Sequence, residues 1–151
     1  MGVFSSGGIG IDMGSGNTAV YLENEGVKLR EPTCALVNRE NASDVLALGR
    51  DAQRMAGRTD DASILVAPVI DGGVADSELA AILMLSVAEK ACEKRRPFEK
   101  SRLAVTVPHG ATRVERAALA TATGLAGAKK ALIVKAPVAA AIGAGVRIDR
   151  P

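Results

Sequence analysis

The segment Gly10-Ile11-Asp12-Met13-Gly14-Ser15-Gly16-Asn17-Thr18-Ala19-Val20-Tyr21-Leu22 sets the architecture that the rest of this chain must accommodate. An apolar run, Ile9 to Met13, carries one acid near its end. Small and hydroxyl residues follow, then a second β-prone run from Ala19 to Leu22. The pattern predicts strand, tight glycine turn, strand. With no side chain at Gly14 and Gly16, backbone N–H groups of the turn can face an anion closely. Ser15, Asn17 and Thr18 add side-chain donors, and Asp12 stands where a carboxylate can hold a hydrated divalent cation. An ordinary hairpin with a glycine bulge fits the same residues.

Context excludes two commoner phosphate loops. No Gly-x-x-x-x-Gly-Lys-Ser/Thr string is present, so no P-loop is expected. A dinucleotide-binding glycine turn opens a helix, whereas this turn opens a strand.

Working outward, 151 residues are enough for one domain with a real core. Hydrophobic residues make up 48%, mostly Ala, Val, Leu and Ile, and Phe4, Tyr21 and Phe98 are the only aromatics. A surface that stacks bases or sugars needs aromatic faces, so none is expected. A formal charge of +2 is too small to signal nucleic acid. Cys34 and Cys92 form no metal-ligand spacing with the lone His109 and read as two buried cytosolic thiols. Met1-Gly2-Val3-Phe4 lacks the features of a secretory signal, and Leu79 to Ala88 is too short to span a bilayer. A cytoplasmic protein is expected.

Beyond the first hairpin, Glu25-Gly26 predicts a turn and Val27 to Arg30 a third strand of a meander, broken by Pro32. Thr33 to Val37 and Val45 to Leu48 read as strands around the polar turn Asn38 to Asp44. Arg50 to Gly57 reads as a short helix ended by its glycine. Ser63 to Ala67 is extended up to Pro68, so about 32–67 forms a small α/β insert. A glycine loop, Pro68 to Asp76, then feeds a helix capped by Asp76, with Leu79, Ile82, Leu83, Leu85, Val87 and Ala91 on one face. That helix runs into Lys94-Arg95-Arg96 and stops at Pro97, its last-turn cations matching the macrodipole.

Leu103 to Val107 reads as a continuous apolar strand, buried on both faces of a partly parallel sheet. Thr112 and Glu115 predict a capping box for a helix over Arg113 to Leu125, ended by Gly127. Ala131 to Val134 gives the last strand, and Pro137 opens a helix over Val138 to Ala144. That final helix is nearly all apolar, which predicts an exposed patch and association. Helices crossing between apolar strands imply a mixed sheet.

Together these residues resemble the first domain of the MreB family of bacterial actin homologues, along essentially the whole chain. Gly10 to Thr18 is similar to that family's first phosphate motif, with Ser15 and Gly16 as mild variants. Arg30-Glu31-Pro32-Thr33, Met55-Ala56-Gly57-Arg58-Thr59 and Asp71-Gly72-Gly73-Val74-Ala75-Asp76 resemble further signatures. So do Val107-Pro108-His109-Gly110-Ala111-Thr112-Arg113-Val114-Glu115-Arg116 and Ala139-Ala140-Ala141-Ile142-Gly143-Ala144-Gly145. The phosphate turn alone also fits sugar kinases or heat-shock chaperone ATPases of the same superfamily. The Asp-Gly-x-Val-Ala-Asp and Gly-Ala-Thr-x-Val-Glu-Arg strings favour MreB.

The resemblance implies an α/β fold: the actin/ribonuclease-H-like mixed five-stranded sheet with flanking helices, plus a small inserted α/β subdomain. Residues 1–31 and 68–151 would be the main subdomain and 32–67 the insert used in contacts along a filament. The second, C-terminal domain is expected to be absent. The resemblance further implies ATP with Mg²⁺, the phosphates lined by Gly14, Ser15, Gly16, Asn17 and Thr18 and metal-bound water oriented by Asp12. Filaments of this chain with itself or a full-length homologue, lying on the inner membrane surface, would follow.

Two departures stand against these matches. Ala136 occupies the position of the family's water-positioning Glu, with Lys135 before it, and a methyl cannot align water, which argues against hydrolysis. The chain also stops before the family's second phosphate loop, so millimolar ATP binding at best is expected. A non-catalytic half acting as an interaction module with a full-length homologue is the alternative. Phe4, and Phe98 among Arg95, Arg96 and Lys100, are the candidate membrane contacts. For Phe98 the ordinary alternative is a solvated helix–strand connection with a half-buried ring.

Overall fold

The computed structural model describes residues 7–58, 61–93, 96–99 and 101–148. Strands β1 (Gly8–Met13), β2 (Asn17–Leu22) and β3 (Gly26–Pro32) form the expected meander. Their alternation puts Ile9, Ile11, Met13, Val20 and Leu22 on one buried face. Pro32 does not break β3. It ends that strand opposite Asn17 at the edge of the sheet, where a missing N–H donor is tolerated.

The insert is a separate three-stranded sheet. β4 (Ala35–Asn38) pairs antiparallel with β5 (Val45–Leu48) and with β6 (Ser63–Val66), and helix α1 (Gly49–Met55) covers Leu36 and Cys34. β4 starts at Ala35 rather than Thr33. The glycine that matters to α1 is Gly49 at its start, with φ +58, and not Gly57 at its end. Burial, and then the neighbouring Glu31 carboxylate, push the Cys34 thiol up, while its Sγ donates to the Gly49 carbonyl. Cys92 is only partly buried, unlike the expectation for both thiols.

The glycine loop is a miniature hairpin of β7 (Val69–Ile70) and β8 (Gly73–Val74). Asp76 caps helix α2 (Ser77–Cys92), its Oδ1 accepting from the Leu79 N–H at 2.9 Å. Leu79, Leu83, Met84, Val87 and Ala91 face the core. Ile82 points out at 44% exposure, because Ala80, Ala81 and Ala88 widen the buried stripe elsewhere. α2 stops at Cys92, where Glu93 turns left-handed at φ +52. Lys90 is therefore the only cation of the last turn. Lys94, Arg95 and Lys100 lie outside the described residues, as does Phe4.

Phe98, the second candidate membrane contact, is buried in this fold. It sits in a 3-10 turn, Pro97–Glu99, at 3% exposure within the main core. The turn reverses the chain from α2 into β9 (Arg102–Val107), and the ring is the apolar plug of that reversal. Ionic contact between Arg96 and Glu99 at 3.3 Å closes the turn on its wet side.

β9 runs parallel between β1 and β10 (Ala131–Lys135), giving the five-stranded order β10-β9-β1-β2-β3. Its burial is one-sided. Leu103, Val105 and Val107 face α2 and α3 (Arg113–Leu125), whereas Ala104 and Thr106 are half-buried. That second sheet face, with Gly10, Tyr21 and Leu132, forms an open depression of about 1010 Å³. Leu132 is 66% exposed. The last helix, α4 (Ala136–Gly143), buries none of its residues, and Ile142 is 55% exposed, so the expected apolar patch is present.

The capping box on α3 is complete: Thr112 Oγ1 accepts from the Glu115 N–H, and Glu115 accepts from the Thr112 N–H at 2.6 Å. That backbone N–H, followed by the Thr112 hydroxyl, holds the Glu115 carboxyl below its ordinary value. A depressed carboxyl stabilises the fold above its unfolded value and loses that contribution as pH falls through the lower folded value. The protection of the amides at the start of α3, taken relative to the intrinsic exchange rate at each pH, should therefore fall as pH drops through the lowered folded value. Glu115→Gln should flatten that dependence; an unchanged acid profile would show that the box does not carry it.

Candidate functional site

The C-terminal ends of the parallel strands β1, β9 and β10 lie side by side, and the segments leaving β1 and β9 both lie against Gly72. This is the end of an α/β sheet where ligands commonly bind. Asp12 points out between buried Ile11 and Met13 because alternation leaves every second residue of β1 on the open face. Beyond it the turn is closed by the Gly14 N–H donating to the Asn17 carbonyl at 3.0 Å.

Neither Gly14 nor Gly16 has positive φ, so both serve for space rather than for backbone freedom. A Cβ on Gly14 would stand 3.2 Å from the Asn17 carbonyl oxygen, and one on Gly16 would project into open space. The turn is thus uncovered on its outer side, with Ser15, Gly16 and Asn17 exposed. These are the properties an anion cradle requires.

The Thr18 side chain is turned away from the exposed tip. It is fully buried, and its hydroxyl shares a 2.9 Å hydrogen bond with that of Thr33, at the base of the insert. The cause is register: Thr18 lies opposite Met13 on the core side, two residues past the open tip. Ser15 remains at the site, its Oγ accepting from the Gly72 N–H at 2.8 Å.

That bond brings a second loop to the turn. Gly72 has φ +79, and a Cβ there would reach 2.6 Å from Pro108, on the segment leaving β9. The Asp71–Asp76 and Pro108–Arg116 motifs, far apart in the chain, therefore brace one corner of the site. On the third strand, Lys135 pairs with Val107 and leads directly into α4, with Ala136 as the first helical residue. No carboxylate or amide is supplied from that position.

Two residues escaped sequence reasoning. Thr106, from β9, donates its hydroxyl to Asp12 Oδ1 at 2.5 Å, a length typical of a charge-assisted bond. Its only signal was a polar residue inside an apolar strand. Glu31 was visible only as part of a motif. It is buried, accepts from the Arg50 N–H at 2.7 Å and pairs with Lys90 at 3.5 Å, tying the insert to α2. Among the described residues no cluster of three or more His, Cys, Asp or Glu could hold a metal. None of the described helices is long and apolar enough to cross a membrane.

Comparison with known proteins gives a consistent result. The family model described as MreB/Mbl protein matches residues 6–151. The cell shape-determining protein MreB of Escherichia coli K12 is 33% identical over 98% of this chain and 43% of its own length. Mbl of Bacillus subtilis strain 168, also a cell shape-determining protein, is 34% identical over 95% of this chain and 42% of its own. The crystal structure of MreB 5 of Spiroplasma citri bound to AMPPNP superposes with a TM-score of 0.82 at 30% identity, covering 97% of this chain and 44% of that one. The chain thus spans less than half the length of the curated relatives it matches.

Proposed function

The chain belongs to the MreB/Mbl family of cell-shape proteins with the actin fold, and on that premise we propose that it carries the phosphate-gripping half of a nucleotide-dependent filament subunit. The observation that supports this reading is the convergence of the uncovered Gly14–Asn17 turn, Asp12 and the Gly72 loop at one end of the parallel strands. Phosphate oxygens would be met by the turn's backbone N–H groups, by Ser15 and by Asn17. Asp12 fits Mg²⁺, because that ion keeps most of its waters and uses one or two carboxylates alongside substrate phosphates. ATP with Mg²⁺ is the proposed ligand, and the bound metal would neutralise charge on the phosphates.

Ala136 sets the chemistry of this chain apart. At the start of α4 it offers no group to align an attacking water, so slow or absent hydrolysis is proposed even where nucleotide binds. Self-association, or pairing with a longer homologue, completes the proposal, in the cytoplasm at the inner membrane surface. The exposed Leu132, Ile142, Val146 and Ile148 support a surface that another protein unit covers. The same observation favours a second reading, a non-hydrolysing interaction module that never binds nucleotide tightly.

Calorimetric titration and sedimentation of the 151-residue chain, with and without Mg²⁺-ATP, test both. One turn and one carboxylate have few contacts to offset the cost of fixing ATP, so millimolar affinity is expected. Nucleotide-dependent assembly would support the filament subunit. Nucleotide-indifferent sedimentation with no heat of binding would leave the interaction module.

A further inference from the structure

Asp12 is exposed, so nothing about burial obliges it to find a partner, yet a hydroxyl from another strand is fixed on it. The register Ile11 opposite Val105 places Thr106 beside Asp12 on the open face, and the same row continues to Val134 on β10. Thr106 therefore stands midway between Asp12 and the β10–α4 junction, where Ala136 contributes no polar atom. Being β-branched on a strand, its side chain is stiff at χ1, so its hydroxyl direction is set by backbone rather than by chance.

We propose that Thr106 is the positioning residue for Asp12: its hydroxyl, held by β9, fixes one carboxylate oxygen so that the other faces the hydrated cation accompanying a nucleoside triphosphate. The inference rests on the nucleotide reading above. An unrestrained Asp samples several rotamers, whereas one hydrogen-bonded on a single oxygen presents its second oxygen in a fixed direction. Carboxylates that serve metal ions are commonly oriented in this way, and removing such a partner typically lowers metal affinity about 10- to 100-fold. Thr106 touches neither phosphate nor metal in this role; it acts through Asp12 alone.

The test uses the full 151-residue chain, ¹⁵N-labelled, with Mn²⁺ as a paramagnetic substitute for Mg²⁺. In the unsubstituted chain, Mn²⁺ with ATP should broaden the amide signals of residues 12–17 more than Mn²⁺ alone does. Thr106→Val, nearly isosteric, should raise the half-saturating Mn²⁺·ATP concentration roughly tenfold. Thr106→Ser, which restores the hydroxyl, should return it close to the original value; a purely packing role would not be rescued this way. Thr106→Ala replaces the Val variant if that one folds poorly, as judged by its amide spectrum. The proposal is overturned if Asp12→Asn abolishes the broadening while Thr106→Val and Thr106→Ala leave it unchanged. If ATP adds no broadening to the unsubstituted chain, the nucleotide reading itself fails and this inference with it, an outcome distinguishable from the first.

Discussion

Replacing Phe98 with Ser should lower the unfolding free energy by about 3–5 kcal/mol, as full removal of a buried aromatic ring does elsewhere. The ring is 3% exposed and packs in the main core where α2 turns back towards β9. Ser leaves a cavity that the surrounding strands and α2 cannot fully close, and it adds a hydroxyl with no assured partner. Against a total stability of roughly 5–15 kcal/mol for a domain of this kind, the loss is a large fraction. Urea denaturation should show a much lower midpoint at nearly constant slope. Phe98→Leu, which keeps most of the apolar volume, should lose under about 1.5 kcal/mol. Below their unfolding temperatures, the Ser variant and the unsubstituted chain should partition equally onto anionic vesicles. A stability change within about 0.5 kcal/mol, with lost partitioning, would put the ring back on the surface.

The second large effect is expected where the insert joins the main sheet. Glu31→Ala removes a buried carboxylate that accepts from the Arg50 N–H and pairs with Lys90. Hydrogen bonds to charged groups are worth about 1.5–3 kcal/mol each, so a loss of about 2–3 kcal/mol is expected. Lys90 adds little to this, since its side chain is 41% exposed and rehydrates. Gly49→Ala should be comparably damaging for two reasons. Its φ of +58 costs an L-residue about 1–2 kcal/mol, and the new Cβ would stand 2.5 Å from Glu31 Oε2. Only the second reason depends on Glu31. The double variant should therefore be more stable than the sum of the single losses predicts, by about 1 kcal/mol. Strict additivity in a double-mutant cycle would mean that the carboxylate moves aside freely and does not clamp α1.

Much of the architecture was legible because its signals are local. The β1–β2–β3 meander, the cap at Asp76, the Thr112–Glu115 box and the proline in the first turn of α4 each depend on residues within a few positions of one another. Backbone dihedral preferences and end-group hydrogen bonds act over that range. The family strings were legible for the same reason, being contiguous runs. Less readable was direction. Periodicity places Asp12 on the outer face of β1, but it treats Thr18, Ile82 and Phe98 only as members of a pattern, and each lies where the pattern alone does not put it.

By itself, then, the amino-acid order determined the element types, the glycine turn, the caps and the family. The tertiary structure decided what those parts do together. It buried Thr18 against Thr33, folded Phe98 into the core, made Glu31 the clamp of the insert, and set Thr106 on Asp12 across 94 positions of sequence. The physical reason is strand order. A residue's own neighbours fix its backbone and its alternation, but its side-chain partners come from whichever strand is paired alongside. Pairing β1 between β2 and β9 is a non-local choice, made by burying one whole sheet face under α2 and α3.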